Sequence, residues 1–163
     1  MARLSPAPSP TAAEPVVAFD EQGRFRLELE LPKSTYAAGE PIEGIARLRF
    51  AGPGATDIAG SGSGLIVTSL VDANGKVLTG IQTADCAPYT IDSASPLTTG
   101  LVKSGGYVPD DPSDDFIEAF LKDPVFRLPA GDWAIHASSD FAGNGCAPPR
   151  IQLSTSIRIV VTD

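Results

Sequence analysis

Arg24-Phe25-Arg26-Leu27-Glu28-Leu29-Glu30-Leu31 is the stretch that decides the fold class. Successive side chains of an extended chain point to opposite faces, so Phe25, Leu27, Leu29 and Leu31 share one face and Arg26, Glu28 and Glu30 the other. Alternation with a period of two marks a strand that has one face in a core and one in water, the habit of antiparallel sheets.

The same pattern recurs along the chain. Pro32 to Pro41 reads as a turn, with Gly39 free to take a positive φ. Ile42 to Phe50 then sets Ala46, Leu48 and Phe50 against Arg47 and Arg49. Glycine-rich Ala51 to Gly64 reads as a flexible loop. Leu65 to Val71 is rich in β-branched residues, and Asn74-Gly75 after it is a hairpin signal, because both residues tolerate the positive φ of a type I′ turn. Val77 to Ile81 is the expected return strand, and Leu97 to Val102 a further short one. Leu128-Pro129-Ala130-Gly131-Asp132-Trp133 turns into a strand carrying Trp133, Ile135 and Ala137 on its inner face. Ile151, Leu153, Thr155, Ile157, Ile159 and Val161 form the inner face of a long last strand. One helix interrupts the strands. Asp111 is placed to cap it, Pro112 suits its first position, and Asp114 and Asp115 favour the positive end of its dipole. Phe116, Ile117, Phe120 and Leu121 are its apolar face, and Asp123-Pro124 ends it. The expectation is an all-β protein, an antiparallel sandwich of about seven strands with one short helical insertion.

Composition bounds the function. The 163 residues suit one domain with one core, and 16 Gly with 15 Pro imply many turns. The expected organisation is a Pro/Ala-rich tether over residues 1–23 and a sandwich domain over 24–163. Twelve basic against 20 acidic residues give a net charge of −8. That field repels phosphate backbones and anionic lipid, which argues against nucleic acid as a partner. No apolar run reaches the length of a membrane-spanning helix, so no direct membrane insertion is expected of this segment. The start, Met1 to Pro15, lacks the apolar stretch of a signal peptide and favours polyproline-II geometry, so a signal or anchor upstream of residue 1 is expected.

Chemistry-bearing residues are few. Cys86 and Cys146 are an even pair, each followed by Ala-Pro. A bond between them closes a loop of about 60 residues, worth on the order of 4 kcal/mol in the chain-entropy model. Free thiols and a redox or metal role are the alternatives, but no CxxC spacing exists and a single histidine cannot complete a zinc site. His136 with Ser138 and Asp140 has the residue types of a hydrolase triad on one strand face, without an oxyanion hole or a sharp nucleophile turn; a solvated histidine is the plainer reading. Asp110, Asp111, Asp114 and Asp115 have the oxygen-rich chemistry calcium prefers but not the D-x-D-x-D-G spacing, and helix capping with a solvated face is the plainer reading. Gly60-Ser61-Gly62-Ser63-Gly64 lacks the Gly-Lys-Ser/Thr of a phosphate cradle. Trp133, Tyr36, Tyr89 and Tyr107 are candidates for a sugar-stacking platform, with Trp133 the one expected in the core. No catalytic residue, cofactor or metal is assigned.

Tyr36-Ala37-Ala38-Gly39-Glu40-Pro41-Ile42, Leu128 to Trp133 and the long last strand resemble bacterial extracytoplasmic immunoglobulin-like domains. The YxxGE turn is also similar to that of the bacillar intracellular proteinase-inhibitor domain. The resemblance spans Phe25 to Val161, and departs from antibody domains in placing its cysteines in loops. It implies a fold and says little about function; the sandwich pattern, the cysteine pair and the lack of catalytic groups argue for a non-catalytic module, secreted or tethered at a bacterial cell surface, that binds, spaces or senses. The partner would be an unidentified protein or a cell-wall polymer, met by the loops Gly52 to Gly64 and Ser139 to Arg150. The alternative is an inhibitor acting through an exposed loop at Gly52 to Ser63.

Overall fold

The computed structural model describes residues 14–143 and 145–163. The strands are β1 (Val16–Gln22), β2 (Phe25–Leu31), β3 (Thr35–Ala37), β4 (Ile45–Phe50), β5 (Ala55–Gly60), β6 (Ile66–Val71), β7 (Ala87–Asp92), β8 (Leu97–Gly100), β9 (Gly131–Ala142) and β10 (Arg150–Thr162), with helix α1 (Asp115–Lys122) before β9. Two sheets form. One runs β1-β2-β4-β8, and the other β3-β10-β9-β5-β7, with β6 also paired to β9. Strands β5 and β6 share one edge of β9, β6 along Ala134–Ser139 and β5 at Phe141 and Ala142.

The core lies between the sheets and follows the alternation. Leu27, Leu29 and Leu31 of β2 with Ala46 and Leu48 of β4 face Ile135, Ala137 and Phe141 of β9 and Leu153, Ile157, Ile159 and Val161 of β10, all buried. Phe25 meets its cross-strand partner Phe50 at 5.2 Å within its own sheet and Phe141 edge-on at 4.9 Å across the gap. The outer face of the first sheet neutralises itself: Arg26 pairs with Glu21, Arg49 with Glu28, and Arg47 with Glu30.

Several expectations are corrected. Among the described residues there are ten strands rather than seven, and β3 runs parallel to β10, so the sandwich is not wholly antiparallel. The tether over 1–23 does not reach Gln22, because Val16–Gln22 is a strand in full register with β2. Its core side carries only Val16, Ala18 and Asp20, too weak an alternation to stand out. Asp20 and Gln22 accept backbone N–H bonds from Ser154 and Gln152, at 2.9 and 3.2 Å, on the stretch of the β10 edge that β3 leaves uncovered. Residues 1–13 of the expected tether lie outside the described residues.

Ala51 to Gly64 is not a loop throughout, since it holds β5, whose Ile58, Ala59 and Gly60 are buried. Glycine is required at residue 60 for packing. A Cβ there would stand 2.5 Å from Leu65 and 3.0 Å from the Asp140 carbonyl. The expected return strand Val77 to Ile81 reduces to a bridge between Val77 and Val71, because the Thr79 hydroxyl takes the Leu70 N–H at 3.0 Å. The turn before it is not type I′. Gly75 alone takes a positive φ (81°), and its N–H reaches the Asp72 carbonyl at 3.0 Å, the pattern of a type I turn closed by a glycine bulge.

The helix begins later than expected, with Asp114 rather than Asp111 at its cap position. Its C-terminus is held by Lys103, whose ammonium donates to the carbonyls of Phe120, Asp123 and Val125 at 2.7, 2.5 and 2.6 Å. A cation placed on the last helical carbonyls satisfies groups that have no intrahelical partner. Lys103→Met keeps the stem and removes those bonds. It is expected to cost about 2 kcal/mol, the range for hydrogen bonds to a charged group, read as a lower urea midpoint at unchanged slope.

Candidate functional site

Strand β8 ends the first sheet and β6 stands opposite it in the second. Between them opens a cleft of about 540 Å³, a volume usual for ligand sites. Ile66, Val67 and Thr68 form one wall, Leu97, Thr98 and Thr99 the other, and Ile81, Gln82 and Thr83 a third. The fold puts these groups together in short steps. The Thr68 hydroxyl takes the Val102 N–H at 2.9 Å and donates to its carbonyl at 3.2 Å, which closes one end. Ser104 accepts from Gly80 and Ile81 through its carbonyl and hydroxyl, at 2.7 and 3.1 Å. Gln82 reaches the Gly64 carbonyl at 2.9 Å, and the Thr83 N–H reaches the Ser63 hydroxyl at 3.1 Å.

At the far end the wall joins a cluster of hydroxyls. Buried Ser61 lies 2.8 Å from the hydroxyls of both Ser63 and Thr83, and Tyr89 donates to the Ser61 carbonyl at 2.6 Å. The Thr83 hydroxyl bonds Asp85, and the Gly62 N–H reaches the same carboxylate at 3.0 Å. These bonds, Thr83 first, hold the Asp85 carboxyl below the usual range. A Cβ on residue 62 would stand 2.1 Å from that carboxylate, so the contact depends on glycine. Cys86 follows at once and is bonded to Cys146, with Cα atoms 5.9 Å apart, which ties this wall to the β9–β10 loop.

The residues singled out in the sequence go elsewhere. His136, Ser138 and Asp140 do share the outer face of β9. Asp140, however, is held by Arg150 at 2.5 Å and Gln152 at 3.1 Å, and no hydrogen bond joins it or Ser138 to His136. Burial pulls the His136 imidazole below its ordinary pKa. The folded state therefore prefers neutral His136. Its contribution to stability is complete above the unfolded value of about 6.5 and is lost as pH falls from there through the folded value. His136→Gln is expected to flatten that part of the acid limb in melting temperature against pH, with the limb below it retained.

Asp111 accepts from the Ser113 N–H and hydroxyl, and Asp114 accepts the Val108 N–H at 2.8 Å, so both serve local turns. Among the described residues, no three His, Cys, Asp or Glu side chains are gathered closely enough to hold a metal ion. The four aromatic residues do not form a platform. Trp133 is half-buried and stacks on Phe116 at 5.2 Å, Tyr36 is buried with an unpartnered hydroxyl, Tyr89 borders the cleft, and Tyr107 lies near Lys122. Of the expected contact loops, Ser61–Gly64 borders the cleft end and Gly52–Gly54 does not. Thr68, Ile81, Leu97, Thr99 and Val102 were not legible as a site, since they come from segments that touch only once both sheets close.

The class this defines is an all-β, two-sheet protein with a disulfide and a cleft between sheet edges. No protein family and no curated protein matches the chain. Among solved structures, Spo0M, the sporulation control protein from Bacillus subtilis, is similar at 15% identity and a TM-score of 0.42. The match covers 87% of this chain and 51% of that one, so the chain spans about half of its length. At that similarity it carries no argument about function.

Proposed function

We propose that this protein is a non-catalytic immunoglobulin-like module acting outside the cytoplasm, and that it binds its partner through the β6–β8 cleft. The observation that carries the reading is the cleft itself, whose fifteen lining residues include no Asp, Glu, Lys, Arg or His. A site without acids, bases or an ion centre is equipped for recognition rather than for proton or electron transfer. Strand order supports the immunoglobulin-like description. β2-β4-β8 stand in the order A-B-E, and β3-β10-β9-β6 in the order A′-G-F-C, with β3 parallel to β10. The bonded cysteines support an oxidising compartment. Among the described residues no helix is long and apolar enough to cross a membrane.

The proteinase-inhibitor alternative has less support, because the stretch expected to project into a protease is largely strand β5. The module reading is tested by melting curves with purified peptidoglycan fragments and with candidate secreted proteins. A true ligand stabilises the fold by about 2.7 kcal/mol at a hundredfold excess over its dissociation constant, and so raises the melting temperature with concentration. Val102→Glu, which sets a charge at the cleft mouth, is expected to abolish that rise without unfolding the protein. A rise left intact by Val102→Glu would move the site elsewhere.

A further inference from the structure

We propose that the cleft receives an uncharged, extended polypeptide segment, which adds to the free edge of β8 as a further strand. This rests on the reading of the cleft as the contact site and goes further by naming the class of ligand. Among the described residues, Leu97–Gly100 is hydrogen-bonded through its backbone to β4 on one side only. An unpaired edge presents alternating N–H and C=O groups, which an incoming backbone matches better than any compact solute does.

The other edges are blunted in the usual ways. β1 carries Asp20 and Glu21, β3 has three residues, β6 is bonded by Leu78 and Thr79, β7 carries Pro88, and the open N–H groups of β10 at Gln152 and Ser154 are taken by Gln22 and Asp20. β8 has neither a charge nor a proline. Beside it the two walls carry aliphatic and hydroxyl groups and no formal charge, in a chain whose residues are 20% charged and whose net charge is −8. A charged side chain entering there would lose its hydration without gaining an ion partner, so the complementary strand is a neutral one. β8 offers about 13 Å of edge at the usual rise per residue, enough for four residues of the guest. Exposed Ile81 and Val102 flank the opening, 65% and 53% accessible, and would be covered by the guest's apolar side chains.

The test is amide hydrogen exchange and chemical-shift mapping of the whole chain with a capped heptapeptide of alternating valine and threonine, at about 1 mM, where weak strand additions are populated. The expected result is slowed exchange within Leu97–Gly100, with saturable shifts at Thr68 and Ile81. A copy N-methylated on alternate residues should bind about tenfold more weakly, because its edge bonds are gone. A copy with glutamate in place of threonine should also bind more weakly, and Thr99→Lys should lose the shifts. Equal binding of the N-methylated copy, or shifts without protection of β8, would overturn strand addition and leave the binding module standing. So would saturation by an N-acetylglucosamine tetrasaccharide with no response to peptide. Protection of β8 that grows with protein concentration alone would replace the guest with a second copy of this chain. No response of the cleft to either probe would overturn the inference and withdraw the cleft's support for the module as well.

Discussion

Reduction of the Cys86–Cys146 bond, or replacement of both residues by serine, is expected to lower the melting temperature by roughly 10 °C. The bond spans 60 residues. In the chain-entropy model, freeing such a loop in the unfolded state costs on the order of 4 kcal/mol, and a domain of this size loses a few degrees per kcal/mol. The core does not include either cysteine, so the far-ultraviolet spectrum should keep its β signature at room temperature. The local effect is more telling. Residues 81–83 are one wall of the cleft and stand directly before Cys86, so faster amide exchange in that stretch should accompany reduction. A melting temperature unchanged by reduction would mean that the wall is held by the Ser61–Thr83–Asp85 bonds alone.

Phe141→Ala should be as damaging. Phe141 is fully buried, meets Phe25 across the sheets at 4.9 Å, and stands opposite Gly60 on the neighbouring strand. Truncating a buried phenylalanine removes its transfer free energy and leaves a cavity that the sheets cannot close, for about 3–5 kcal/mol. That is a large part of the stability of an ordinary domain. Phe19→Ala is the contrast. Phe19 is half exposed on the outer face of β1 with Arg26 lying 3.7 Å over its ring, and its loss should fall within about 0.5 kcal/mol. Urea titrations of the two variants at equal slope would measure the difference. A similar cost for both would contradict the placement of the core.

Where alternation was strong, the sequence was sufficient. The faces of β2, β4 and β10 are those their residues imply, and Leu27, Leu48 and Ile157 are buried as read. β1, β3, β5 and β7 were not legible. β5 is a strand because Leu65 and Phe141 cover its glycine, and β3 is one because three residues lie against the end of β10. Propensity within either segment argues for neither. The Asn74-Gly75 signal located a turn correctly and gave the wrong type, since the Thr79 side chain, not a return strand, completes the bonding of β6.

The sequence by itself determined a β-rich chain, the face of each strongly alternating strand and the approximate place of its helix, and it offered one pairing for its two cysteines, which the structure shows bonded. Each follows from neighbours a few residues apart, or from there being only two thiols to pair. The tertiary structure alone decided which strands share an edge, and so where a cleft opens and which edge stays bare. The cleft's walls come from Ile66–Thr68, Ile81–Thr83 and Leu97–Thr99, which meet only when two sheets pack, and no local pattern records that meeting. Its lack of charge is likewise a property of the assembled surface. In the chain those residues are ordinary aliphatic and hydroxyl side chains, and packing alone sets them side by side as the walls of one cleft.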